Sequence, residues 1–192
     1  EPPAFRYTVE QREHLLAVHE RGHGAVIVTA HAGSWDVASG AMNLRGFDLA
    51  IAMLPEPNAD ARAISDAQRA RAGVKVFHVG DDPLSALPLS VHVRRGGAVA
   101  LQIDRTPAGM RSTPTKFFGR TWHAPSGPFR LAQVTGAPIL PVFTARLDYA
   151  HHLIHIGEPM DVPRKATPTD IEQVAGASMA AVERFVRRFP TQ

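Results

Sequence analysis

Short β-branched runs alternate with helix-period stretches along most of this chain, and that alternation limits the fold more than any other feature. Residues 25–30 (AVIVTA), 49–54, 74–79, 98–103 and 138–145 are brief apolar runs of strand type. Between them lie segments with helix punctuation. Asn58 caps a stretch to Arg71, which Gly73 stops; Ser126-Gly127-Pro128 opens one that Gly136 closes. Pro83 opens a stretch to about residue 95, in which Pro88 kinks or restarts the helix. Residues 34–45 read as a helix ending at Gly46. Strand–helix–strand order predicts an α/β fold: a mostly parallel central sheet flanked by helices.

The two ends read differently. Thr8-Val9-Glu10-Gln11 has capping-box spacing and predicts a helix to about residue 21. Thr169-Asp170-Ile171-Glu172 has the same spacing before a long amphipathic helix, with Ile171, Ser178, Met179, Val182 and Phe185 on one face. A polar loop from Asp104 to about Pro114 leads into a short extended piece, residues 115–118, and residues 151–156 alternate as a last strand. No linker or repeat divides the chain, so residues 1–192 read as one domain.

Composition excludes some chemistries. There is no cysteine, hence no disulfide, thiolate nucleophile or thiolate metal site. The longest apolar stretches fall far short of the ~20 residues that a spanning helix needs. His151, His152 and His155 alternate across a strand without a carboxylate at ligand spacing, so no metal is expected. The net charge of +3 hides a cluster: residues 94–130 hold seven basic residues and one acid, Asp104. Arginine forks match phosphate. Nucleic acid, an anionic membrane surface and a phosphorylated small molecule all fit that segment.

The most informative stretch is His31-Ala32-Gly33-Ser34-Trp35-Asp36, where a strand ends and a helix begins. Ligands of open α/β sheets bind at the carboxyl ends of strands. Asp36, in the first helical turn, would accept the imidazole Nδ1–H of His31 and leave Nε2 as a general base. Backbone N–H groups at the helix start, around Gly33 and Ser34, would hold an oxyanion. Asp104 and Arg105 follow another strand and should reach the same sheet edge.

The segment GHGAVIVTAHAGSWDVASGAMNLRG resembles the first signature block of the lysophospholipid acyltransferase superfamily. It is most similar to the bacterial branch of lipid A lauroyl/myristoyl and phosphatidylinositol mannoside acyltransferases. Asp104-Arg105, Lys116-Phe117-Phe118-Gly119-Arg120 and the stretch from Pro125 to Val142 resemble later blocks in the same order. The resemblance implies a glycerolipid acyltransferase-like fold, with His31 as catalytic base and Asp36 as its orienting acid. Substrate contacts would come from Arg69, Arg71, Asp104, Arg105, Phe117, Phe118 and Arg120, with the Phe pair walling an acyl or acceptor groove. The acyl group would pass from acyl-CoA or acyl carrier protein, as co-substrate and without a cofactor, to a lipid or glycolipid acceptor. The basic segment would meet lipid or carrier phosphates rather than nucleic acid. The setting implied is the cytoplasmic face of a bacterial inner membrane, peripherally docked, with both chain ends trimmed. The lipid A enzymes carry Asn-Trp-Glu where this chain has Ser34-Trp35-Asp36, which leaves acyl transfer intact and the acceptor open. The same dyad acting on water would make a thioesterase, and a silent domain binding anionic lipid is the third reading.

Overall fold

In a computed structural model of the protein, residues 5–34, 48–71, 73–80 and 83–192 are described. The helix expected over residues 34–45 lies almost wholly outside them.

Seven strands form one sheet: β1 (Arg6–Glu10), β2 (Ala25–Thr29), β3 (Leu49–Met53), β4 (Lys75–His78), β5 (Ala98–Gln102), β8 (Ile139–Arg146) and β9 (His151–Ile156). Their order is β1-β9-β8-β2-β5-β3-β4, and β8–β9 is its antiparallel pair; all other neighbours run parallel. A two-stranded hairpin, β6 (Ser112–Phe117) and β7 (Arg120–Pro125), stands apart from it. Among the described residues the helices are α1 (Arg12–Glu20), α2 (Ala59–Arg71), α3 (Leu87–Arg94), α4 (Gly127–Thr135) and α5 (Pro168–Arg188).

Alternation along β2 explains the layering. Val26 and Val28 join Leu89, Phe129, Phe143 and Met179 in one core, beneath α3, α4 and α5. Ala25 and Ile27 face the other way and pack with Leu15 and Val18 of α1. A strand buried on both faces must be apolar throughout, and AVIVT is.

Two expectations need correction. Residues 6–10 form a strand, not the first turn of a helix: Tyr7 and Val9 alternate inward and pair with β9, while Gln11 breaks the strand in left-handed conformation (φ 56°). Sheet pairing outweighs a weak local capping signal here. The cap of α5 is Thr167, whose hydroxyl accepts from the Asp170 N–H while Asp170 accepts from Thr167, two residues earlier than expected. Pro88 restarts rather than kinks: a 3₁₀ turn, Pro83–Ala86, precedes α3.

The first strand is bound in by charge as well as by pairing. Glu10 accepts two bonds from Arg188 (2.6 and 2.7 Å) and one from His155 (3.1 Å), tying β1, β9 and α5 together. The Arg188 guanidinium, aided by His155, holds its carboxyl down at about 2 despite partial burial. On the opposite face of β9, His152 is buried against the rings of Phe5 and Tyr7, and that burial lowers its pKa.

Candidate active site

Register alone brings the two central side chains together. Strands β2 and β5 are parallel neighbours, with Thr29 opposite Gln102. Two residues further along each strand stand His31 and Asp104, both just past the carboxyl end. The Ile103 N–H donates to the Thr29 carbonyl at 2.9 Å, carrying the pairing up to that point.

Asp104 grips His31 twice. Its Oδ1 accepts the His31 backbone N–H at 3.1 Å, and its carboxylate lies 2.9 and 3.1 Å from His31 Nδ1. On the other side of the ring, Arg105 Nη2 lies 2.8 Å from Nε2. A carboxylate only accepts and a guanidinium only donates, so the partners assign the tautomer: Nδ1 carries the proton and Nε2 the lone pair. The His31 side chain is 35% exposed and that of Asp104 22%, so the imidazole is both held and reachable.

The loop after β5 is pinned on both sides of Arg105. Trp122 Nε1 donates to the Asp104 carbonyl (3.0 Å), and the Thr106 hydroxyl donates to the His123 carbonyl (2.8 Å). Both anchors lie on β7, which sequence reasoning missed because RTWHAP has no apolar alternation. The usable signal was Phe118-Gly119: both residues have positive φ (49° and 75°), making the tight turn between β6 and β7.

Gly33 has a positional reason. It sits at φ +64°, and a Cβ there would lie 1.9 Å from the Thr144 carbonyl oxygen of β8. The chain leaving His31 therefore presses on the neighbouring strand's backbone, and only glycine fits. Ser34 follows at the same edge as the last described residue of this segment, so the oxyanion role expected at the helix start extends beyond it. Asp36, the expected partner of His31, lies outside the described residues; among those described, the carboxylate on Nδ1 is Asp104.

The other expected contacts separate. Phe117 packs on Phe118 and Trp122, with ring centroids 4.7 and 5.8 Å apart, so the pair joins the site through Trp122. Phe118 is 42% exposed beneath the Arg187 guanidinium, and its N–H donates to Glu183. Arg120 is exposed at the hairpin turn. Arg69 and Arg71 stand in the last turn of α2, which descends from the carboxyl end of β3 to the start of β4. The basic segment also divides. Arg94, bonded to the Val134 carbonyl, precedes β5, whereas Arg105 follows it.

An α/β sheet with helices on both faces thus carries a carboxylate-oriented imidazole at its carboxyl edge, the edge at which open sheets of this kind bind ligands. The chain belongs to the bacterial lipid A biosynthesis acyltransferase family, whose model matches residues 4–192. It is 32% identical over 134 residues to the phosphatidylinositol mannoside acyltransferase of Mycobacterium tuberculosis, covering 67% of this chain and 41% of that protein. The chain thus spans about two-fifths of that relative's length. Its fold is similar to the crystal structure of the 1-acyl-sn-glycerophosphate (LPA) acyltransferase PlsC from Thermotoga maritima. The TM-score is 0.52 at 17% identity, over 98% of this chain and 74% of that one. At that identity the likeness concerns the fold alone. No described helix is long and apolar enough to cross a membrane.

Proposed function

We propose that this chain carries the catalytic centre of an acyltransferase that moves a fatty acyl group from a thioester donor, acyl-CoA or acyl carrier protein, to a hydroxyl or amine of a lipid or glycolipid. Family membership supports the reaction class, and the mannoside acyltransferase relative supports a glycolipid acceptor. Peripheral docking at the cytoplasmic face of a bacterial inner membrane fits such substrates.

His31 acts as the general base. A hydroxyl is a weak nucleophile at neutral pH, so Nε2 takes its proton as the oxygen attacks the thioester carbonyl. The resulting imidazolium is stabilised by Asp104, which holds the proton on Nδ1. As the tetrahedral intermediate collapses, the carbon–sulfur bond breaks and Nε2–H returns the proton to the departing thiolate. The transfer is direct, from donor thioester to acceptor oxygen; these 192 residues hold no cysteine that could carry the acyl group between them. Phe117, Phe118 and Trp122, joined to the dyad loop through the Trp122 bond to the Asp104 carbonyl, serve the acyl chain.

The observation that carries this reading is the double grip of Asp104 on the backbone N–H and Nδ1 of His31. The test is His31→Ala with labelled acyl-CoA or acyl carrier protein and a lysolipid or mannoside acceptor. Transfer should vanish while the circular dichroism spectrum stays unchanged; near-full activity sinks the mechanism. Free acid released at a rate indifferent to acceptor would instead mark a thioesterase.

A further inference from the structure

The lone pair that would take the acceptor's proton is already engaged. Arg105 Nη2 donates to His31 Nε2 at 2.8 Å. A guanidinium has donors and no acceptor, so this bond has a single polarity. While it stands, Nε2 cannot receive a proton from an acceptor hydroxyl. Once Nε2 is protonated, two donors and two positive charges would face each other. Arg105 in this position is therefore compatible with neither half of the turnover.

Only its side chain is free to leave. The Asp104 carbonyl and the Thr106 hydroxyl are both anchored to β7, which fixes the backbone on either side. The Arg105 residue itself is exposed. A guanidinium released from an imidazole finds a far better partner in a phosphate, whose oxygens match its fork and which brings opposite charge. Donor carriers and lipid headgroups both bring phosphate.

We propose that Arg105 is a latch on the base. It covers His31 Nε2 until a substrate phosphate draws the guanidinium away and uncovers the lone pair. The latch keeps an unoccupied site from activating water. Arg105 is thus a positioning residue acting through His31, and the proposal rests on the reading of His31 as base.

The test reads the ring directly. Diethyl pyrocarbonate acylates the lone pair of a neutral imidazole, and peptide mass spectrometry reports His31, with exposed His23 as internal standard. Wild-type His31 should react about tenfold more slowly than His31 in Arg105→Ala, the worth of one hydrogen bond. Saturating desulfo-coenzyme A or glycerol phosphate should raise the wild-type rate to that of the variant. Whichever probe does so identifies the phosphate as the donor's or the headgroup's. Arg105→Gln keeps a donor for Nε2 without the charge, so its His31 should stay slow with either probe. Equal rates in wild type and Arg105→Ala, or no acceleration by either probe, overturn the latch. The separate transfer assay keeps the failures distinct: if His31→Ala retains transfer, the base assignment falls whatever the labelling pattern.

Discussion

Asp104→Asn is the most discriminating substitution, because it keeps shape and removes charge. In the wild type one carboxylate accepts both the His31 backbone N–H and Nδ1–H. An asparagine that keeps the first bond through its oxygen puts its NH₂ where Oδ2 stood, 3.1 Å from Nδ1, where a donor competes with the Nδ1–H bond that the oxygen still accepts. That pulls toward the other tautomer, with the lone pair on Nδ1 and the proton on Nε2, while the Arg105 donor at Nε2 pulls against it. Each ring that switches points its lone pair the wrong way. Two losses combine. A charge-assisted hydrogen bond to the imidazolium is worth about 1.5–3 kcal/mol, or roughly 10–150-fold in rate. The same exchange in the serine protease triad, where the tautomer is also lost, costs about 10⁴-fold. With His31 35% exposed, water eases part of the penalty, so kcat should fall about 10²- to 10⁴-fold. KM should stay nearly constant, since substrate binding is untouched. Loss of one partly exposed hydrogen bond should lower the melting temperature by only about 2–4 °C. The assay is steady-state acyl transfer, with Asp36→Asn alongside and His31→Ala/Asp104→Asn as the double variant. Residues acting as a unit are not additive, so the double variant should be no slower than His31→Ala. Asp104→Asn retaining more than about a third of wild-type kcat, where a fall of the size derived above is expected, would refute the dyad.

Two further outcomes follow from measured geometry. Gly33→Ala adds a Cβ 1.9 Å from the Thr144 carbonyl in a left-handed backbone; it should cost about 3 kcal/mol or more, seen as a melting temperature lower by roughly 6–12 °C together with lost transfer. Glu10 has its pKa depressed from 4.5 to about 2, chiefly by Arg188. The folded form binds its proton less readily than the unfolded form, so this stabilisation is complete above pH 4.5 and is lost as pH falls through about 2. The ceiling is ~3 kcal/mol, reduced by solvent screening to about 1 kcal/mol. Arg188→Ala should remove that much of the acid dependence, read by urea denaturation at stepped pH.

What the sequence disclosed depended on the range of each interaction. The runs AVIVT and AVALQ announce strands buried on both faces, and Gly136 ends α4 in left-handed conformation (φ 77°) as its position suggests. Asp104 and Arg105 were legible as residues beyond a strand, hence at the ligand edge. That Asp104 lies on the imidazole was not legible. Spacing pointed to Asp36, five residues from His31 and outside the described residues, whereas Asp104 is 73 residues away. No local pattern states that β2 and β5 are neighbours, because both have apolar residues on both faces and either could pair elsewhere. Arg69 and Arg71 show the converse: a helix between parallel strands descends, so its last turn, where both stand, begins away from the edge at which its first turn started. Trp122 stayed hidden in a hairpin whose outer face is polar.

The contact between His31 and Asp104 is therefore a consequence of strand register, and register is what the packing protects. A slip of one residue between β2 and β5 would set Ile103 or Arg105 opposite His31. An apolar side chain offers no acceptor for Nδ1–H, and a guanidinium offers only donors. A slip would also exchange the faces of residues that are wholly buried. Ala25, Val26, Val28, Ala98 and Val99 are each 0% exposed, with alanine toward one core and valine toward the other. Swapping those volumes overfills one side and leaves voids on the other. Gly33 adds a third constraint by seating the His31 turn on β8. The same small and branched side chains that keep the sheet in register thus keep a carboxylate on Nδ1, and the proposed base inherits its geometry from the core.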